Sequence, residues 1–191
     1  GKIVVQNDGS LVQINETATY TGTPATFSLT RTTPKVHRYD YTYWSSPVVE
    51  NANVFLLGKN PQNLAIAGLS PNTLASKYHS WDMATNNWIN IPNGNAPMAA
   101  GKGYIVRAPS TAEYGIFPSL ASSYNHFTAN FVGQPNTGVI NTPLMQDSWA
   151  LVGNPYPSAI NLDLFFDQNI DLIEGTVYIW THDSPMTANQ A

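Results

Sequence analysis

Apolar and polar residues alternate in short runs along most of the chain, at the period of two that a half-buried strand requires. Residues 3–14, IVVQNDGSLVQI, set Asn7-Asp8-Gly9 between two such runs, which signals a hairpin or a solenoid corner. FSLTRTTP (27–34) and VHRYDYTYWSSPVV (36–49) follow. In the second run a continuous strand places Tyr39, Tyr41 and Tyr43 on one face, with Asp40, Thr42 and Trp44 on the other, until Pro47 ends it. Residues 58–75 are punctuated by Gly58, Pro61, Gly68 and Pro71 and read as loop. KYHSWDMATNNW (77–88) reads as two short strands around an Ala84–Asn87 turn. GKGYIVRAP (101–109) reads as a strand with Tyr104 and Val106 opposite Ile105 and Arg107, and FTANFVGQPNTG (127–138) as a strand and a turn. One short helix is predicted after Asn161, its cap, with Ile160, Leu164, Phe165 and Gln168 in a stripe. GTVYIWTH (175–182) alternates strongly and predicts a last strand.

Short β-segments with regularly spaced turn signals predict an all-β fold, a jelly-roll-like β-sandwich of one or two lobes with a solenoid-like N-terminal edge. YWSSPV (43–48) and VGNPYPSAI (152–160) share a layout of strand, small polar residues and proline, and each precedes an aromatic strand, YHSWD (78–82) or VYIWTHD (177–183). The expected organisation is therefore a solenoid-like edge or linker over 1–27, a first lobe over 28–138, and a related second lobe over 139–191, cut short at Ala191. A truncated lobe exposes a strand edge, to be completed by downstream sequence, a neighbouring subunit or a secretion partner through strand addition. Within WALVGNPYPSAI (149–160), Pro155 and Pro157 stiffen the exit from a strand, with one X–Pro bond a candidate for cis, Tyr156–Pro157 ahead of the other because an aromatic precedes the proline. No side chain there suits acid, base or nucleophile work, so a rigid corner is the expected role.

Composition sharpens the picture. Of 191 residues, 42% are hydrophobic and 12% aromatic but only 10% charged, which leaves Asn and Thr to cover strands and turns and disfavours long charge-laced helices. A net charge of −4 argues against nucleic acid, which demands clustered Lys and Arg. No apolar run reaches the roughly 20 residues of a membrane span. Without cysteine there is neither disulfide nor thiolate chemistry. The chain starts at Gly1 without a signal peptide, as expected of a processed or excised piece.

The segments YDYTYWSSPV (39–48), GKGYIVRAP (101–109), F-x-G-x-P-N-x-G (131–138), W-x-L-V-G-N-P-Y-P-S-A-I (149–160) and GTVYIWTH (175–182) resemble a family of secreted surface proteins of Bacteroidota, the cargo type of the type IX secretion system. KIVVQNDGSLVQIN (2–15) resembles the last rung of the β-solenoid-like regions that precede this module. The resemblance implies a large, modular, secreted protein held at or released from the outer cell surface, often an adhesin. It also implies a C-terminal sorting domain, which this sequence lacks.

Candidate chemistry is sparse. His182-Asp183-Ser184 is the nearest approach to a nucleophilic triad, but neighbours on a strand face opposite ways and no G-x-S-x-G elbow occurs. His37, His79 and His126 are isolated, and His79 with Asp82 supplies only two metal ligands. Asp163, Asp167 and Asp171, with Asn161 and Asn169, form a candidate calcium site, calcium being the one cofactor suggested; a polar helix face explains the same spacing. Glu16, Glu50, Glu113 and Glu174 lie near turns with nothing to pair them, and GKG (101–103) lacks the spacing of a phosphate loop. The aromatic residues are the remaining signal. Alternate strand residues lie about 6.6 Å apart, so Tyr39, Tyr41 and Tyr43 can form a ladder, with Trp81 and Trp88 as a loop platform. Such rings either stack on sugars or fill a sandwich core. The expected function is thus a non-catalytic structural or adhesive module of a cell-surface protein. Polysaccharide binding by these five rings is the first alternative and a hydrolase fragment the second.

Overall fold

The structure, a computed structural model, describes residues 1–23, 26–49, 58, 68–109, 124–174 and 176–179. The described strands are β1 (Ile3–Val5), β2 (Phe27–His37), β3 (Tyr41–Trp44), β4 (Tyr78–Asp82), β5 (Asn87–Asn90), β6 (Tyr104–Arg107) and β7 (Tyr124–Val132), followed by one helix, α1 (Leu162–Asn169). They form a three-stranded sheet in the order β1-β2-β7 and a four-stranded sheet in the order β3-β6-β4-β5. The fold is all-β in character, as its alternating pattern predicts. The 77–88 pair, the 101–109 strand and the Asn161-capped helix fall where the sequence places them, with Asn161 Oδ1 accepting from Leu164 N at 3.1 Å.

The first sheet is joined by long-range pairing. β1 runs parallel to the start of β2, with Ile3 beside Phe27 and Val5 beside Leu29. The chain does turn after β1: Asp8 adopts φ 66° and Gly9 N donates to Gln6 O at 3.0 Å. Leu11–Ile14 does not return as a hairpin partner; instead Leu11 N donates to Pro157 O at 2.9 Å. β2 and β7 pair antiparallel over most of their length. Contrary to the sequence-based expectation, Pro34 does not separate two segments, because β2 runs through it in a bulge where the register shifts between Thr32 and Lys35. Thr33 supplies what the bulge displaces: its Oγ1 accepts from Phe127 N at 2.9 Å, and its carbonyl meets His126 Nδ1 at 2.7 Å. The extra residue also reverses the strand's parity, which is why Leu29 and Val36 are both buried although seven residues apart.

One core lies between the sheets. Phe27, Leu29, Val36, Phe127, Ala129 and Phe131 enter it from the first sheet, and Tyr78, Tyr104 and Val106 from the second. Trp44 spans the two, its ring 5.8 Å from Phe127 and 6.1 Å from Phe131. Each of the Val, Leu and Phe side chains among them contributes about 1.5–3 kcal/mol by leaving water. Two core tyrosines satisfy their hydroxyls on loop backbone. Tyr78 Oη donates to Ser70 O at 2.7 Å and also meets Thr73 O at 3.1 Å, and burial pushes its pKa up to about 12. Tyr104 Oη accepts from Ala99 N at 2.9 Å.

Three further expectations are corrected. The break in the 36–49 run falls at Arg38–Asp40, where Asp40 N donates to His37 O at 2.9 Å and Asp40 Oδ2 accepts from His37 N at 2.7 Å. The α1 stripe does not reach the core: no residue of the helix is buried, and Ile160 and Leu164 are exposed. Residues 176–179 form no strand, and the rest of GTVYIWTH lies outside the described residues, as does most of the 58–75 segment. The bonds before Pro155 and Pro157 are both trans.

Candidate functional site

Strand register decides which aromatic rings share a surface. Tyr41 lies opposite Arg107 and Tyr43 opposite Ile105, while His79 also lies opposite Ile105 and Trp81 opposite Trp88. These positions alternate with Trp44, Tyr78, Tyr104 and Val106, which face the core, so they occupy the outer face of the four-stranded sheet. Tyr43 and Trp88 remain 38% and 37% exposed, far more than core rings would be. The rings meet edge to face: Trp81 and Trp88 at 5.0 Å and 81°, Tyr43 and Trp88 at 6.3 Å and 67°, Tyr41 and His79 at 5.8 Å and 61°. Each contact is worth about 0.5–1.5 kcal/mol beyond burial. The row is extended by Trp149, whose carbonyl accepts from Trp81 Nε1 at 2.7 Å and whose ring lies 5.5 Å from Tyr178. Trp149 and Tyr178 were missed as site residues, since nothing local ties 149 to 81.

Four of the five candidate rings therefore share one face. Tyr39 does not join the ladder, because it sits in the Arg38–Asp40 turn rather than in β3. Its ring carries two cations instead, Arg38 Cζ at 4.6 Å and Arg107 Cζ at 5.4 Å from the centroid. Burial raises the phenol pKa of Tyr41 and Tyr43, so both stay protonated at neutral pH. His79 is pulled down, first by burial and then by Lys77. Its folded pKa lies below the unfolded value near 6.5, so the unfolded chain binds the proton first as pH falls. The His79 contribution to stability is expected to be constant above about pH 7 and to decline below about pH 6.5. Denaturant titrations should show a smaller decline in His79→Gln; an equal decline in both proteins would assign it elsewhere.

A cleft of about 460 Å³ opens where β3 meets the first sheet and the 151–159 corner. Trp44, Ser45 and Tyr43 line one side, Leu29, Arg31 and Phe131 another, and Gly153, Asn154 and Tyr156 close it. Arg31 is held by backbone, Nη1 donating to Thr30 O at 3.0 Å and Nη2 to Gly9 O at 3.0 Å. The corner is tied by its own side chains. Asn154 Oδ1 accepts from Tyr156 N at 2.9 Å, Asn154 Nδ2 donates to Ser158 O at 2.6 Å, and Tyr156 Oη donates to Gly138 O at 2.7 Å. It also walls the cleft, because residues 151–153 lie against 101–103 through Gly103 N→Leu151 O and Gly153 N→Gly101 O, each 3.0 Å. Gly153 also lets the corner approach the end of β3, since a Cβ there would strike the Ser45 side chain.

The other candidates are dispersed. Asp163, Asp167 and Asp171 lie exposed on and just after α1, and among the described residues no three His, Asp or Glu side chains gather as metal ligands would. Asp82 instead orders its own turn, accepting from Thr85 Oγ1 at 2.7 Å and from Ala84 N at 3.1 Å, which holds its carboxyl below the usual range. Glu16 and Glu174 are exposed and far apart in the chain; Glu50, Glu113, His182, Asp183 and Ser184 lie outside the described residues.

Fold and surface together define a two-sheet β protein with a row of edge-to-face aromatic rings on the outside of one sheet. The chain belongs to a family described as a domain of unknown function (DUF8693), whose model matches residues 1–191. No curated protein and no solved structure matches the chain. No described helix is long and apolar enough to cross a membrane.

Proposed function

We propose that the chain is a non-catalytic adhesive module of a secreted cell-surface protein and that it binds polysaccharide on the outer face of β3-β6-β4-β5. The observation that carries this reading is the exposure of Tyr43 and Trp88 within a row of touching rings, on the face opposite the one from which β4 and β6 bury Tyr78, Ser80, Tyr104 and Val106. Rings set near right angles offer a stepped seat, in which a sugar ring lies flat on one aromatic face and abuts the edge of the next. The jelly-roll-like arrangement rests on the spacing of short strands and turns, and secretion by the type IX route and the surface location rest on the segment resemblance. The parallel pairing of β1 with β2 is in keeping with a solenoid-like N-terminal edge.

The test is equilibrium binding of residues 1–191 to a panel of soluble polysaccharides, with calcium and with chelator. Saturable binding is expected, weakened at least about tenfold by Trp88→Ala, as for truncation of a buried-on-binding aromatic anchor. Absence of binding to every polymer would overturn the adhesive reading and leave a scaffold module. Binding lost only with chelator would move the site to Asp163, Asp167 and Asp171.

A further inference from the structure

We propose that the Arg107 end of this aromatic face receives the anionic substituent of an acidic polysaccharide, a carboxylate or a sulfate ester, while Tyr43, Trp88 and Trp81 hold the sugar rings. The inference rests on the polysaccharide reading above and names its ligand class. Arg107 is the cross-strand neighbour of Tyr41 and so shares the outer face with the row. Its side chain keeps only 9% of its surface open, yet Nε is buried with no hydrogen-bond partner. Among the described residues, the charged and polar groups that bear on it are Tyr41, Arg38 and Tyr39, none of them a carboxylate. A guanidinium carries five N–H donors in a planar fork that matches carboxylate or sulfate oxygens. The Tyr39 ring compensates the charge partly and satisfies none of those donors.

The surroundings point the same way. Arg38 and Arg107 approach one tyrosine ring together, and Lys77 lies near enough to depress His79, which faces Tyr41 with its own Nδ1 buried and unpartnered. Desolvation of the Arg107 guanidinium opposes folding, and a bound anion reverses that opposition. Asp40, the carboxylate in the adjoining turn, accepts from His37 N at 2.7 Å. A chain with only 8 Lys and Arg and a net charge of −4 is unsuited to a polyphosphate, which needs many cations along its track. One anion pocket at the end of a ring-binding row suits a sugar chain bearing an acidic group.

The experiment measures affinity of the full chain for laminarin (neutral), polygalacturonate (carboxylate) and dextran sulfate (sulfate ester), at low and high NaCl. An acidic polymer is expected to bind about tenfold more tightly than the neutral one, with the preference shrinking as salt screens the pair. Arg107→Gln is expected to remove that preference while leaving the laminarin affinity within about twofold. Arg107→Lys keeps the charge but loses the planar fork, and is expected to fall between; it carries the test if Arg107→Gln does not fold by circular dichroism. Whichever acidic polymer responds identifies the anion. Equal affinity for neutral and acidic polymers, or Arg107 variants that retain the acidic preference, would overturn the anion site and leave the aromatic reading intact. Failure to bind any of the three, with Trp88→Ala indistinguishable from the parent, would overturn both.

Discussion

Phe131→Ala is expected to destabilise the protein by about 3–5 kcal/mol, the range for removing a buried phenyl ring from a core that cannot collapse around the gap. Phe131 is 1% exposed, pairs with Leu29 across β2-β7, and lies 6.1 Å from the Trp44 ring of the opposite sheet. Removing it opens a void on the line where the sheets meet. Trp44 is poorly placed to fill the void, because its own ring also leans on Phe127 at 5.8 Å. A fall in melting temperature of roughly 10 °C follows for a chain of this size. Leu164→Ala on α1 supplies the control, since that side chain is exposed and its loss should change stability by less than about 0.5 kcal/mol. Comparable losses in the two variants would mean that the core is not where the sheets meet.

The second large effect is expected at Asn136, which is 5% exposed. Its Nδ2 donates to Ser46 O at 3.1 Å and to Pro155 O at 2.8 Å, tying the end of β3 to the proline corner with one amide. Asn136→Ala leaves two carbonyls without their donor and should cost about 2–3 kcal/mol. Asn136→Asp, nearly identical in shape, should cost more at neutral pH, because a carboxylate replaces the donor and faces two carbonyl oxygens. Repulsion and burial raise the folded pKa of that new carboxyl above the unfolded value near 3.9. A raised folded pKa favours the folded state at low pH, so the Asn136→Asp deficit should shrink on acidification, relative to the parent at each pH. A pH-independent deficit would show that the amide is not the tie.

The sequence pattern was most informative where one strand's alternation is regular and its neighbours are local. Tyr104 and Val106 enter the core as the alternation predicts, although Ile105 and Arg107 are buried too, and the 77–88 pair is short, so its turn is written in adjacent residues such as Asp82 and Asn86. The pattern misled at Pro34 and at Tyr39. A proline looks like a strand end unless its partner accepts a bulge, and only Thr33 with Phe127 and His126, some ninety residues away, reveals that this one does. Tyr39 continues the period-two pattern perfectly, yet the Asp40 carboxylate closes a turn that removes it from the strand. The α1 stripe shows the converse error: a helical period is visible in 160–168 whether or not anything packs against it.

The candidate face was half legible. Period two puts Tyr41 and Tyr43 together, and a tight turn brings Trp81 near Trp88. That these two pairs meet, that Trp149 extends them, and that Arg107 stands at their end depend on the order β3-β6-β4-β5, which joins strands more than sixty residues apart. The corner at 154–157 shows the same division, for proline stiffness is local but the cleft it walls is not.

By itself the sequence determined the all-β character, the paucity of charge, the absence of cysteine chemistry, and the short turns, because each follows from residue type or from neighbours within a few positions. Tertiary structure alone decided which side of each sheet faces water, which rings share a surface, and which described groups surround Arg107. Those outcomes depend on register between distant strands, and a single-residue shift in register turns every side chain to the other face.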